Sequence, residues 1–366
     1  MERNLTTGNI GKTIAYFALP YLLSYFLQTL YGMADLFIIG QFDGVDGITA
    51  VSNGGQVMHM LTVIIVGLAM GTTVTIGKSV GAGKLDAASA SIGNTVTFFM
   101  GMSVVVMAVL VFLVNPIVTL IGIPAEAVAG TRQYLFVCFL GIPFITAYNV
   151  ISAIFRGLGD SRSPMYFIAI ACVANIVLDY VFIGGLGMGP IGAALGTTLA
   201  QTISVIISLI AIRRKETGIH LTKKELRVKR DVLGQILKIG IPVAVQDGCI
   251  QVAFIVISVI ANHRGLNDAA AVGVVEKLIG MIFIVPSSML ATVSALSAQN
   301  IGAGRHDRAR KLLYYAILIT GSYGIVMTIL IELFSKQTVG IFTTDAAVIL
   351  LGSQYISSYI IDCIFA

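Results

Sequence analysis

The sequence predicts an all-α integral membrane protein built from two six-helix repeats that form two lobes, a twelve-helix fold of which about ten helices are present. Three observations carry this expectation. Of 366 residues, 57% are hydrophobic and 11% charged, against roughly 25% charged in soluble domains, and the mean hydropathy is +0.93. No globule of this length hides so many apolar side chains from water, so the solvent is a bilayer. The apolar residues also fall in about ten runs long enough to cross one. Finally, a motif that follows the second run returns after the eighth, which makes the two halves repeats.

In order, the runs cover about 14–39, 47–76, 92–114, 130–155 and 164–186, then about 191–212, 233–261, 268–298, 312–333 and 346–366. A hydrocarbon core about 30 Å thick requires about 20 residues of helix, and longer runs tilt or continue beyond it. None of the runs alternates as a membrane strand does, so the spans are helices. The polar start MERNLTTGNIGK precedes a run that is too long, and lacks the cleavage site, for a signal peptide. It is read as a retained first helix. With the N-terminus in the cytoplasm of a prokaryote, 19 of the 23 Lys and Arg residues lie inside. Arg132, Arg264, Lys277 and Lys336 fall outside, and the positive-inside rule sets this orientation in the cell (inner) membrane. The net charge of +5 is therefore a topology signal and not a nucleic-acid patch.

The basic segment between the sixth and seventh spans divides the chain into an N-terminal lobe, 1–217, a cytoplasmic connecting loop, 218–231, and a C-terminal lobe, 232–366. GAGKLDAA at Gly81 to Ala88 reappears as GAGRHDRA 221 positions later. The same offset places Gln133–Leu135 on Gln354–Ile356, and Pro20 falls close to Pro242. With six spans in the first half, both units begin on one side of the membrane, so the lobes are related by an axis along its normal. On this register the chain stops partway through the fourth span of its second half. The expectation is a partial chain of a twelve-helix protein, against the alternative of a ten-helix one.

Ionisable groups inside a membrane cost roughly 2.5–3.5 kcal/mol each and are functional candidates by default. Asp35 lies in the outer half of the first span and Asp179 inside the fifth, with Asn175 one turn before it on the same face. Gln28 and Tyr31 precede Asp35 by seven and four residues and outline a polar pocket with it. A buried carboxylate pair can take up a proton or a cation at accessible pH and change the local conformation. Pro20 removes a backbone hydrogen bond and gives the first helix a point of bending. Asp247 and Asp362 are further intramembrane acids that would line a substrate cavity. The repeat counterpart of Asp35 falls near Val256, so the acidic pocket is not duplicated. Glu276 beside Lys277 is read as a local ion pair.

Other patterns carry no chemistry. Cys138, Cys172, Cys249 and Cys363 are dispersed in apolar stretches, and His59, His220, His263 and His306 form no ligand spacing, so neither a metal nor another cofactor is expected. GKSVGAGKL lacks the first Gly and the final Ser or Thr of a phosphate-binding loop and reads as a helix-terminating turn. The 13 methionines are ordinary packing residues.

The segments ALPYLLSYFLQTLYGMADLFIIGQF, GAGK, FRGLGDSRSP, NIVLDYVFI and GAGR, in this order, resemble the multidrug and toxic compound extrusion (MATE) family. The N-xx-LD setting of Asp179 is similar to the DNA-damage-inducible F type of branch. The resemblance implies a twelve-helix transporter fold with two lobes around a V-shaped cavity, alternating access, and exchange of a drug-like substrate for H+ or Na+. Matched one by one, Asp35 and Asp179 would be the coupling acids, Asn175 their polar neighbour and Pro20 the helix bend. Gln28 and Tyr31 would face the cavity. Thr197 would be a cation-site hydroxyl, with adjacent Thr198 leaving the register open. The family's sodium-branch acid in the seventh span has no match, since Ile250 and Gln251 stand there with Asp247 a turn earlier.

The functional expectation is an H+- or Na+-coupled antiporter that exports amphipathic organic cations and acts as a monomer, with no nucleic-acid partner. A flippase for lipid-linked saccharides would require Arg and Lys in mid-span to hold a pyrophosphate, and the spans contain almost none. A membrane enzyme would require a nucleophile with its base, or a metal cluster, and a receptor would not explain the repeat.

Overall fold

A lipid solvent offers no hydrogen bonds to the backbone, so the chain satisfies its N–H and C=O groups within helices from one end to the other. The computed structural model describes residues 5–214 and 225–365. Residues 218–224, half of the expected connecting loop, lie outside them. The first half comprises α1 (Ile10–Phe42), α2 (Gly44–Gly81), α3 (Leu85–Ile121), α4 (Ala125–Leu140), α5 (Ile142–Leu158), α6 (Arg162–Asp179) and α7 (Gly189–Arg214), with a π-helical turn, Tyr180–Gly185, after α6. The second comprises α8 (Arg230–Arg264), α9 (Leu266–Ile282), α10 (Ile284–Gly302), α11 (His306–Gly340), α12 (Ala346–Ile360) and α13 (Asp362–Phe365).

Among the described residues, nine helices are long and apolar enough to cross a membrane, and ten when α4 and α5 count as one span bent by 50°. The bend has a local cause: Pro143 lacks the N–H that would have continued the ladder past Gly141. α9 and α10 together make the expected eighth span. The ninth run, expected to end near 333, continues to Gly340 past Phe334, whose backbone leaves the helical region. Pro20 is buried within an uninterrupted α1, and Ser24 Oγ donates to its carbonyl at 2.8 Å, an arrangement that softens a helix at that level.

Each half packs on itself. Ile38 and Ile39 of α1 meet Leu135, Phe139 and Ile142 in one core, and Val275, Ile279, Ile331 and Ile356 form another in the second half. The halves meet through α2 against α8 and α10, and through Phe17 and Tyr21 of α1 against Ala295 and Leu296 of α10. These contacts lie in the half of the spans next to the N-terminus and the basic turns, here termed the basic end.

The two repeated turns explain themselves there. Gly83 and Gly304 occupy equivalent left-handed positions, φ 69° and 72°, which end α2 and α10 and which a side chain disfavours. At the last residue of each of these helices the contact is reciprocal, each glycine meeting the residue three before the end of the other helix. Gly81 lies against the carbonyl of Gln299, and Gly302 lies against the carbonyl of Lys78. Gln299 also donates to the Gly157 carbonyl at 2.9 Å. Arg305 donates to the Thr6 carbonyl at 2.8 Å, and Arg308 to those of Gly8 at 2.7 Å and Thr7 at 2.9 Å, tying the N-terminal segment to the second half.

Glu276 is a correction. Its carboxylate accepts from Ser258 of α8 at 2.9 Å, and among the described residues no ion pair joins it to Lys277. Consecutive helical residues point about 100° apart, so adjacency in sequence does not make them neighbours in space.

Candidate functional site

Three helices of the first half supply the polar interior. α1 presents Gln28, Tyr31 and Asp35 at three- and four-residue steps, hence on one face. α6 presents Asn175 and Asp179, and α7 crosses them with Gly196, Thr197 and Gln201. α6 stops being α-helical at Asp179, and the following turn closes with the Leu186 N–H donating to the Val181 carbonyl at 2.9 Å, five residues back. Such π turns recur at functional sites because they redirect side chains without ending the helix.

Asp35 is 5% exposed, Asp179 0%, Asn175 1% and Thr197 8%. Asp35 faces Asp179, Asn175 and Thr197, so the structure brings all four expected residues together. Thr197 Oγ1 donates to Asp35 Oδ2 at 3.3 Å, while the adjacent Thr198 hydroxyl has no partner. Of the two threonines, Thr197 is the one whose hydroxyl meets Asp35. Asp35 Oδ1, both Asp179 oxygens and both polar atoms of the Asn175 amide are buried without a protein partner. Buried polar atoms are ordinarily paired, so five orphans converging on one point mark a place built for something else. Two carboxylates, an amide and a hydroxyl form an all-oxygen donor set that fits a shared proton or a hard monovalent cation. Without either, two buried carboxylates side by side repel each other strongly.

Tyr31 lies beside Asp35 and Gln201. Gln28 lines a cavity toward the basic end together with Tyr25 and Tyr148. Asp247, half-buried on α8, lies against Gly67 of α2 and close to Tyr25, so it faces the first half across the interface. Asp362 does not join this group: it is exposed at the start of α13, a short helix that packs on α11 and α12. At the far end, Asp43 joins α1 to α2, and partial burial and neighbouring Asp46 push its carboxyl above the usual range.

Gly196 is the residue that the sequence did not disclose. A Cβ there would overlap Asp179 Oδ1, so the absence of a side chain is what lets α7 approach the acid. We expect Gly196→Ala to cost about 1–3 kcal/mol as overpacking, read as a lower melting temperature of the detergent-solubilised protein; an unchanged melting temperature would place the carboxylate elsewhere.

The FRGLGDSRSP segment has a structural explanation. Asp160 Oδ1 accepts from the N–H groups of Arg162, 3.0 Å, and Ser163, 3.1 Å, which starts α6 in register. The Arg162 guanidinium covers the Tyr16 ring at 4.3 Å, and that of Arg156 covers Tyr21 at 5.3 Å.

A family model described as MatE matches residues 20–181 and 242–366. The chain is 27% identical over 344 residues to the probable multidrug resistance protein YoeA of Bacillus subtilis strain 168, covering 92% of this chain and 74% of that one. It is 24% identical over 348 residues to the multidrug export protein MepA of Staphylococcus aureus strain N315, covering 93% and 75%. A solved structure described as the outward-facing conformation of a multidrug resistance MATE family transporter of the MOP superfamily superposes with a TM-score of 0.87 at 23% identity, over 98% of this chain and 79% of that one. At that identity the likeness is one of fold.

Proposed function

The chain belongs to the MatE family, and from that premise we propose that it is a multidrug efflux antiporter, exporting amphipathic organic cations in exchange for H+ or Na+ by alternating access. The observation that carries this reading is the buried Asp35–Asp179 pair with the orphaned Asn175 amide beside it. Such a pair exchanges a proton or cation with whichever side of the membrane it is open to, and its charge state changes the packing of α1 against α6 and α7. Pro20 is the level at which α1 bends in response.

The basic end faces the cytoplasm on the positive-inside rule, and the protein sits in the cell membrane of a prokaryote as a monomer. Gln28, Tyr31 and Asp247 line the path of the substrate. A carboxylate and aromatic rings in an otherwise apolar cleft favour cations with apolar bodies. The YoeA and MepA relatives, both named for multidrug resistance or export, support the substrate class. A saccharide flippase is the alternative, and its pyrophosphate would require basic side chains in mid-span, of which the spans contain almost none.

Ethidium efflux from pump-deficient bacteria expressing the full chain tests the reading. Efflux that accelerates with an imposed inward H+ or Na+ gradient is the expected result. Efflux indifferent to both gradients would overturn antiport, and no efflux would favour the flippase.

A further inference from the structure

The acid site is sealed within the first half, so an ion released to the cytoplasm must cross the distance from Asp35 to the basic end. From Tyr21 to Asp35 that distance is about 21 Å at 1.5 Å per residue. Tyr21, Ser24, Tyr25, Gln28, Tyr31 and Asp35 form an unbroken polar stripe at helical spacing along α1. Opposite its lower part lies a cavity of about 30 Å³, walled on the α5 side by Tyr148, Asn149, Ser152 and Arg156 and closed by Ser161. The hydroxyls of Ser152 and Ser161 are both buried and have no hydrogen-bond partner in the protein. Unpaired polar groups on the wall of a cavity that size hold water, and the volume admits about two molecules. The Tyr148 hydroxyl lies beside both Ser152 and Gln28, which joins the cavity to the stripe one turn below Tyr31.

We propose that this cavity and the stripe above it are the route by which the coupling ion leaves the Asp35–Asp179 site for the cytoplasm, and that the ion carried is the proton. The proposal rests on the antiport reading and deepens it. Between Asp35 and Arg156 the wall offers hydroxyls, which together with water each accept one proton on oxygen and release another from it, so that a proton leaving the acid leaves it ionised and every relay group unchanged, while the Gln28 and Asn149 amides orient the chain by hydrogen bonds. The same wall suits a metal cation poorly. Its volume has no room for a hydrated one, and the Arg156 guanidinium stands at the mouth, over Tyr21. The other charged group near this route is Asp247, which faces Tyr25 from α8.

The test uses the full chain in liposomes containing a pH-sensitive dye, with ethidium as the transported probe, and compares wild type with Tyr148→Phe and Ser152→Leu. Tyr148→Phe keeps the ring and removes the relay hydroxyl; Ser152→Leu fills the cavity. A fall of tenfold or more in ethidium-coupled proton movement in each variant, with ethidium affinity within twofold of wild type, is the expected result. Proton movement within twofold of wild type in both variants overturns the route. Loss of ethidium binding alongside proton movement assigns the cavity to the substrate and also overturns it. Wild-type transport driven by Na+ and not by H+ removes the proton while leaving antiport standing. Transport driven by neither removes the antiport reading itself.

Discussion

Asp179→Asn is expected to abolish gradient-driven efflux, with the rate falling to about a hundredth of wild type or lower and membrane insertion unchanged. Asparagine has nearly the shape of aspartate, so α6 still packs under Gly196 and the lobe still folds. What disappears is the second carboxylate, and with it the repulsion that makes the site take up a proton or cation from one side and surrender it on the other. A hundredfold change corresponds to about 2.7 kcal/mol, a modest figure for a charge that is 0% exposed and has no protein partner on either oxygen. The measurement is ethidium efflux under imposed gradients, normalised to the amount of protein in the membrane fraction. Efflux unaltered in Asp179→Asn would move the coupling chemistry to Asp247, the acid that faces Tyr25 of α1 from the other half.

Gly302→Val is expected to act as strongly at a point far from the acid pair. A Cβ at 302 would overlap the Lys78 carbonyl, which belongs to a helix backbone and cannot turn aside. Overpacking of this kind costs about 1–3 kcal/mol, and 3 kcal/mol moves a two-state equilibrium by roughly 150-fold. The structure with the basic end closed would become the minor state. Spin labels at Lys84→Cys and His306→Cys, with Cys249 replaced by Ser, should report a longer distance in the Gly302→Val protein, and transport should fall at least tenfold. An unchanged label distance would mean that the two turns do not hold the basic end shut.

Much of this was legible in the sequence because lipid imposes simple rules. Long apolar runs must be helices, basic residues sort by side, and a carboxylate inside a span is costly enough to need a reason. Asp35, Asn175 and Asp179 were found that way, and the structure brings them together with Thr197. What escaped detection depends on the approach of elements distant in sequence. Gly196 matters through an acid on another helix, and nothing in GAALGTTLA announces it. Glu276 finds Ser258 eighteen residues away because α8 and α9 run side by side. The π turn after Asp179 is set by how Tyr180–Gly185 fits against α1 and α7, although the paired glycines at its end are a local sign of irregular backbone. Asp362 shows the converse: an acid within an apolar run need not be buried, and this one is exposed at the start of α13, apart from the Asp35–Asp179 pair.

The reciprocal contact at the basic end has a consequence for the ancestry of the chain. Gly81 touches Gln299, and Gly302 touches Lys78, the residues that correspond to each other 221 positions apart. Position i meeting j while j meets i is the rule of an isologous interface between two identical subunits. A polypeptide the length of one repeat, about 221 residues, could have closed on a second copy of itself with the same glycines and the same carbonyls. In the present chain the buried acid pair belongs to the first half alone among the described residues, while the patch through which the halves meet is self-complementary. The clasp is thus the part of the molecule that still behaves as a homodimer.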